Sequence, residues 1–443
     1  MAATATDRET TTQRLVRHIL SYHRAALPEN ALVVAKQCVL DWFAVTLAAR
    51  EEPLVRILRE QVGQTGTATL VGTSLRCSPG EAALVNGAAS HALDYDDGHS
   101  FVGHPTVTVL PAVLATAELL GSSGSDLLRA FIVGVETSAA IGSLALPEHY
   151  DRGFHATATL GAFGAAAAVG FLHGLDEQQM AMALGLAGTQ AAGLKSMFGT
   201  MAKALHAGKA AANGVLAANL AKGGFTANPD VLDAHQGFLE TQGRARPSKD
   251  IHLLAHGTVI VDTLFKYHAA CFYTHSTLDA IAYLRNAHRF ASGDIASVNV
   301  HVTPVHLKAC NIPAPQSGLE IKFSLSHLAA LAVLGVDTAA IGTYSDETAR
   351  RADICAVREL IQIHGDRSGE TAAAVEIRLK SGESLSQHAD VGVPVRDLQS
   401  QQVRLEGKYR SLTVPVLGEA AAQRLCNNIK HLDRANNILG ILQ

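Results

Sequence analysis

The chain has 443 residues, of which 48% are hydrophobic, 17% are charged and 5% are aromatic, and its formal net charge is −4. This length predicts two or three domains, and the net charge offers no basic face for nucleic acid. The six cysteines show no CxxC or zinc-type spacing, which is typical of reduced thiols in a cytosolic protein. No uninterrupted apolar run reaches the roughly 18–20 residues of a membrane span. The N-terminal sequence has no apolar signal core, so we expect a cytoplasmic protein that binds no membrane.

The first half of the chain predicts helices joined by short loops. The segment Ala31–Ala49 carries apolar side chains near helical spacing, including the core candidate Trp42, and Asn30 is its expected N-cap. Further helices are predicted over Pro79–Ala92, Pro111–Leu120 and Gly124–Leu144. Because helix follows helix, this part of the chain predicts an α-domain.

The pattern changes after about residue 260. Alternating apolar residues predict strands over Ser297–Thr303, Ala374–Leu379 and Ser384–His388. Helices are predicted over Phe323–Leu334, Asp346–Ile363 and Glu419–Leu442. The polar segment Gln242–Asp250, which contains a proline, predicts a surface loop before this change.

These patterns predict a mainly α protein with three sequence segments. Residues 1–260 would form a large all-helical domain, and the C-terminal helices in residues 399–443 would return to it. Residues 261–398 would form a smaller α/β lid domain inserted between them.

One stretch, Asn86–Pro111, crowds ionisable side chains into apolar surroundings. Its members are Asp94, Asp96, Asp97, His91, His99 and His104. Burying carboxylates and imidazoles costs free energy unless they are paired, and such groups have displaced pKa values. The stretch is therefore a candidate wall of an active site. For Asp96 and Asp97 an alternative is a structural role in ordering the loop.

Three further clusters lie beside small-residue segments. They are Tyr150/Arg152/His155, Lys203/His206 and Lys266/His268/Cys271/His275. Lys203 and His206 are three residues apart, so on a helix they share a face. The chain has no HxH, HExxH or GxSxG motif, which argues against a catalytic metal and against a serine hydrolase. The remaining interpretation is acid–base chemistry on a charged small molecule, with Lys and Arg binding carboxylates and His and Asp moving protons.

Four ordered motifs resemble a known family. They are NGAASHALDYDD…GHPTVTVLPAVLATAE, YDRGFHATATLGAFGAAAAVGFLHGL, MAKALHAGKAAANGVLAANLAKGGFTA and KYHAACFYTHSTLDA. Together they are similar to the MmgE/PrpD superfamily, which contains 2-methylcitrate dehydratases, cis-aconitate decarboxylases and iminodisuccinate epimerase. The resemblance implies a homodimer of helical domains with an inserted α/β lid, and a site between the two domains that needs no cofactor and no metal.

The resemblance also implies roles for particular residues. The implied catalytic residues are Asp94, His104, Tyr150, His155 and Lys203. The implied substrate-binding residues are Arg152, Lys266, Cys271, His275 and His327. At three positions, Gly98, Cys271 and His327, the chain departs from the threonine, histidine and tyrosine of animal-type cis-aconitate decarboxylases.

These departures, with the short GHSFVGHP connection, favour an iminodisuccinate epimerase-like isomerase. Such an enzyme removes and returns a proton α to a carboxylate of a small polycarboxylate, while cations stabilise the developing charge. His104 and His155 are then the expected base and acid, with Tyr150 as a candidate acid on the second face. The alternatives are a dehydratase or decarboxylase of a citrate-like acid, and a carboxylate-binding protein without catalysis.

Overall fold

The computed structural model describes residues 9–243, 251 and 253–440. The chain forms two compact units, one of Met1–Thr263 with Asp397–Gln443 and the other of Leu264–Arg396. The predicted boundaries, after residues 260 and 398, lie next to these divisions. Helices account for 58% of the structure and the sheets are small, so the predicted mainly α class with a smaller α/β part is confirmed.

The first unit opens with helices and one short hairpin. Its elements are α1 Thr11–Ser21, α2 Glu29–Ala48, α3 Pro53–Arg59, β1 Ala68–Thr69, β2 Arg76–Cys77, α4 Pro79–His91, α5 Thr106–Leu120, α6 Gly124–Ala145, α7 Glu148–Asp151, α8 Ala156–Leu172, α9 Glu177–Gly188, α10 Met201–Lys222 and α11 Phe238–Gln242. The antiparallel β1–β2 hairpin was not predicted from the sequence. Residues 244–250 of the predicted surface loop lie outside the described residues.

Two helix starts show how local sequence sets the boundaries. Helix α4 begins with a capping box, in which the Ser78 side chain accepts from Glu81 N and the Glu81 carboxylate accepts from Ser78 N. Helix α2 begins at Glu29, two residues earlier than predicted, so Asn30 lies inside the helix and is not its N-cap. The prediction for Asn30 was wrong because Pro28, with φ −60° and ψ 144°, already occupies the N-cap position. Trp42 on α2 is 1% exposed, as expected of a core residue.

The apolar helices α2 and α6 are long enough to span a bilayer by length and composition alone. The sequence pattern had pointed to no such segment, because charged residues interrupt the apolar run of α2. Most of each apolar window, 78% in α2 and 83% in α6, is buried within the protein. Core helices pass the same test, so the observation is weak evidence for a membrane span.

Helices α4 and α10 approach closely, and this contact positions the site. A Cβ added to Gly87 of α4 would lie 2.9 Å from the Cα of Gly208 on α10. Such a distance is too short for two ordinary side chains, so both positions require glycine. Helix α4 ends at His91 and α10 carries Lys203 and His206 in its first two turns. The glycine contact therefore holds the C-terminus of α4, with His91, close to the N-terminus of α10, with Lys203 and His206.

The second unit is a four-stranded sheet with helices. Its elements are α12 His275–His288, β3 Ile295–Val302, α13 Pro304–Ala309, α14 Gly318–Ile321, α15 Leu325–Leu334, α16 Asp346–Ala349, α17 Ala352–Arg358, β4 Ile361–His364, β5 Ala372–Leu379 and β6 Ser384–Asp390. The strand order is β4-β3-β5-β6, with β3 parallel to β4 and antiparallel to β5. Buried side chains of α12, α15 and β3 form its core.

The predicted helix Asp346–Ile363 was wrong in its second part. The segment divides into two short helices, α16 and α17, and a strand, β4. Strand β4 pairs with β3 in parallel register, Val298 with Ile361 and Val300 with Ile363. Parallel pairing joins residues that are distant in sequence, so the local pattern gave no sign of it.

Two C-terminal helices complete the first unit, α18 Leu398–Leu417 and α19 Glu419–Lys430. Helix α18 packs against α2 through buried polar contacts. The Gln401 amide donates to Gln37 Oε1 at 2.8 Å, and the Gln37 amide donates to the carbonyl of Leu398 at 2.9 Å. The predicted final helix is shorter than expected, because it ends at Lys430.

Candidate active site

The loop after α4 places the first carboxylate of the candidate site. Asp94 has φ +50°, a left-handed conformation that aspartate tolerates better than most residues. The Asp94 side chain remains exposed, whereas Asp96 and Asp97 are buried, each 1% exposed. Neighbouring aspartates therefore meet different surroundings.

Asp96 contacts two imidazoles at once. His91 Nδ1 lies 3.0 Å from both carboxylate oxygens, and His104 Nδ1 lies 2.8 Å from Oδ2. His104 Nδ1 also lies 2.6 Å from the main-chain carbonyl of Asp97. A carbonyl can only accept, so we assign the hydrogen of His104 to Nδ1, which leaves Nε2 as its second reactive atom.

The buried charge resides on Asp96. Burial alone raises the pKa of the Asp96 carboxyl, but the His91 and His104 imidazoles outweigh burial and hold this pKa well below its usual range. Burial lowers the pKa of His91 to about 4, so His91 is neutral at pH 7. Its Nδ1–H donates to Asp96, and among the described residues its Nε2 has no hydrogen-bond partner.

Asp97 behaves differently from its neighbour. Burial, reinforced by the Asp41 and Asp96 carboxylates, raises the pKa of the Asp97 carboxyl to about 8. Asp97 is therefore mainly protonated at pH 7, and the Thr106 hydroxyl lies 2.5 Å from its Oδ2. The expected loop-ordering role suits Asp97, whereas Asp96 orients two imidazoles.

Helix α10 brings the cation. Lys203 Nζ lies 2.9 Å from Asp94 Oδ1, and His104 Nε2 lies 4.0 Å from the same oxygen. Asp94 thus joins the ammonium to the second nitrogen of His104. An ammonium beside an imidazole is the pair that acid–base chemistry on a carboxylate needs. We call His91, Asp94, Asp96 and His104 the histidine–aspartate cluster.

A second imidazole pair borders this cluster. His155, at the N-terminus of α8, is 3% exposed, and its Nδ1 lies 3.1 Å from Nδ1 of His206. Its ring centroid is 6.0 Å from that of His91. Burial, with a contribution from the neighbouring imidazoles and Lys203, lowers the pKa of His155 to about 2. His155 is therefore a neutral imidazole at pH 7 and can accept or donate one hydrogen bond.

Other predicted residues of this unit have separate contacts. The Tyr150 ring lies 3.4 Å below Lys195 Nζ, and the side chain is 40% exposed. Arg152 donates to the carbonyl of Thr241 at 3.1 Å. His99 donates from Nε2 to the carbonyl of Val259, and its Nδ1 accepts from the Phe101 N–H. The predicted roles of Tyr150 in catalysis and Arg152 in substrate binding remain predictions.

The remaining predicted substrate-binding residues belong to the second compact unit, and they are Lys266, Cys271, His275 and His327. His275 is 1% exposed and donates from Nε2 to the carbonyl of Ala270 at 3.2 Å. Burial lowers the pKa of His327 to about 4. These are buried neutral imidazoles, and their predicted contribution to the site stays a prediction.

The histidine–aspartate cluster also meets a geometric test for metal binding. One ligand atom from each of its four residues lies within 4.8 Å of the others. Asp96 is already matched by two imidazole N–H donors, and Asp94 by the Lys203 ammonium. Protons and an ammonium thus account for the same geometry, and the expected absence of a metal stays a prediction.

The site and the fold together indicate an enzyme of acid–base chemistry, and comparison with known proteins gives its family. The MmgE/PrpD N-terminal domain matches residues 13–249 and the MmgE/PrpD C-terminal domain matches residues 268–433. The chain belongs to the MmgE/PrpD family.

Its similar relatives include cis-aconitate decarboxylases. The protein of that name from Aspergillus terreus (strain NIH 2624 / FGSC A1156) is 29% identical over 453 residues, which covers 94% of this chain and 92% of the relative. The Homo sapiens protein is 32% identical over 272 residues, covering 59% of this chain and 56% of the relative. The Mus musculus protein is 26% identical over 376 residues, covering 81% and 76%.

Sequence reasoning missed the contacts of three contributors to the site. His91 was noted in the charged stretch but was not assigned a role, and for Asp96 a loop-ordering role was kept as an alternative. His206 was grouped with Lys203, but its contact with His155 was not foreseen. A signal existed in the five-residue spacing of His91 and Asp96 across a helix end, but only the left-handed turn at Asp94 makes that spacing a contact.

Proposed function

We propose that this chain is a cofactor-independent lyase that releases CO₂ from a small polycarboxylate of the cis-aconitate type. The observation that carries the proposal is the arrangement of Lys203, Asp94 and His104, in which one carboxylate joins an ammonium to an imidazole nitrogen. Support also comes from the cis-aconitate decarboxylases that resemble nearly the whole chain. The isomerase interpretation of the sequence is replaced, because the relatives favour its lyase alternative.

The chemistry requires one binding cation and one proton. Loss of CO₂ from an unsaturated tricarboxylate breaks one carbon–carbon bond and leaves its electron pair on the remaining skeleton. That pair shifts the double bond and forms a new C–H bond, so the protein delivers one proton. In this proposal a substrate carboxylate replaces Asp94 on the Lys203 ammonium, and the carbon that gains the proton approaches His104 Nε2.

Asp96 and the carbonyl of Asp97 give this step its geometry. Both lie within hydrogen-bond distance of His104 Nδ1, so Nε2 is the atom that faces Asp94. In the imidazolium form Nε2 carries the second hydrogen of the ring, which it transfers to the substrate carbon, and solvent then replaces it. His91 and His155 are neutral and nearby. Because His91 Nδ1 donates to Asp96, its Nε2 can only accept a hydrogen from the substrate. His155 Nδ1 contacts His206, so its Nε2 is the nitrogen that can bond to the substrate. A preorganised set of such groups stabilises charge in the transition state without reorganisation.

The test is turnover of cis-aconitate in deuterated buffer, with CO₂ measured directly and the product followed by proton NMR. We expect one CO₂ and one incorporated deuterium per product. Lys203→Gln should abolish most turnover, and Lys222→Gln, at the exposed far end of the same helix, should not. If no CO₂ appears from any citrate-like acid, the proposal fails.

The same assay distinguishes the alternatives. Water loss from a hydroxy acid without CO₂ would identify a dehydratase. Deuterium entry into iminodisuccinate with inversion, and without CO₂, would restore the epimerase interpretation. Binding of polycarboxylates without any conversion would identify a binding protein.

A further inference from the structure

Lys408 is a buried lysine on α18, distant in sequence from the candidate site. It is 2% exposed, and its Nζ lies 2.5 Å from Asp41 Oδ1 on α2. The same Nζ donates to the main-chain carbonyl of Tyr95 at 2.7 Å and lies 4.0 Å from the centre of the Tyr95 ring. One ammonium thus connects two helices to the residue between Asp94 and Asp96.

Packing alone does not account for this ion pair. Burying two charges is expensive, and an apolar pair of similar volume often stabilises a protein as well or better. The α2–α18 contact already has the Gln37–Gln401 hydrogen bond. The ammonium also donates a hydrogen bond to the carbonyl of Tyr95, the residue between Asp94 and Asp96.

We propose that Lys408 is a positioning residue of the candidate active site, which it serves by fixing the Tyr95 peptide. With that peptide held, Asp94 faces Lys203 and Asp96 receives the Nδ1–H groups of His91 and His104. Asp41 supplies the counter-charge that keeps the ammonium in place. The expected effect on kcat rests on the proposed lyase function, whereas the expected effect on the orientation of the imidazoles does not.

The test uses a double variant, Lys408→Met with Asp41→Leu, in the full-length protein. Removing both charges avoids leaving one of them buried and unpaired. The matched control is Gln401→Met, because Gln401 lies two turns from Lys408 on the same face of α18 and is equally buried. Steady-state kinetics and imidazole nitrogen NMR spectra of the ligand-free protein are recorded for each.

We expect the double variant to fold with a Tm near that of the wild type, and its kcat to fall roughly a hundredfold, as for a small misplacement of catalytic groups. KM should change less than twofold. The Nδ1 resonances of His91 and His104 should shift in the double variant and not in the control. The NMR result stands even if cis-aconitate is not the substrate, so failure of the two proposals can be told apart.

A folded double variant with wild-type kcat and wild-type imidazole resonances would overturn the inference. If that variant does not fold, Lys408→Leu with Asp41→Asn gives the same test, because leucine offers the Tyr95 carbonyl no hydrogen-bond donor. If neither pair folds while Gln401→Met does, the ion pair serves folding itself, and the positioning role is rejected.

Discussion

Replacing Asp96 by asparagine tests the central contact of the site. Asp96 accepts hydrogen bonds from Nδ1 of both His91 and His104. Asparagine has one acceptor oxygen and one NH₂ group, so it can accept from only one of the two imidazoles. Its NH₂ group would face the N–H of the other imidazole, and two donors cannot form a hydrogen bond. A hydrogen bond to a charged group contributes about 1.5–3 kcal/mol. If that loss falls on the transition state, kcat decreases roughly 10- to 150-fold.

The matched control is Asp97→Asn. Asp97 is already mainly neutral at pH 7, and its contact with His104 uses the main-chain carbonyl, which the variant retains. We expect kcat of Asp97→Asn to stay within about twofold of wild type. Equal losses of kcat in the two variants, or an unchanged kcat in a folded Asp96→Asn protein, would refute the reasoning.

The pH dependence of stability gives a second measurement on the same variant. The pKa of Asp96 is depressed in the folded state, so its ionised form contributes stability above the unfolded pKa of about 3.9. That contribution is lost as the pH falls through the folded pKa. Urea unfolding should therefore show a large difference between wild type and Asp96→Asn at pH 6, and a smaller one in acid.

Four further outcomes follow from the same geometry. Lys203→Gln should lower kcat/KM for a polycarboxylate roughly 10- to 150-fold, since a charged hydrogen bond is lost. Gly208→Ala should destabilise the protein by about 1–3 kcal/mol in urea unfolding, because its Cβ meets the main chain of α4, while Gly80→Ala, with open space around its Cβ, should not. Asp97 has a raised pKa, so wild type should lose stability as the pH rises from about 4 to 8, and Asp97→Asn should not. Chelation by EDTA should leave turnover unchanged, and activity lost to EDTA and restored by a divalent metal would assign the histidine–aspartate cluster to a metal.

Much of the fold follows from local sequence. The capping box at Ser78, the apolar helices and the alternating strands each depend on residues close in sequence, so their elements appear nearly where predicted. Strand β4 and the β1–β2 hairpin are too short to show a periodicity of their own. Pairing with a distant strand stabilises β4, and that pairing is not visible in its four residues.

The sequence indicated which residues belong to the candidate site, but it did not indicate which of them contact one another. The charged stretch, Lys203 and His155 were all identified from the sequence. The assignment of partners depends on the left-handed turn at Asp94 and on the glycine contact between α4 and α10. Tyr150 was identified from the same motif as Arg152, but the motif gave no indication that its ring packs beneath the Lys195 ammonium.

The two adjacent buried aspartates explain how the protein places a single negative charge. Asp96 and Asp97 are equally buried, and two neighbouring carboxylates cannot both ionise cheaply in such surroundings. The imidazoles favour ionisation of Asp96, while Asp97 faces Asp41 and keeps its proton. Environments that separate the pKa values of paired groups are the means by which active sites assign acid and base roles. The charge therefore lies on the carboxylate that contacts both imidazoles, and Lys408 donates to the carbonyl of the preceding residue, Tyr95.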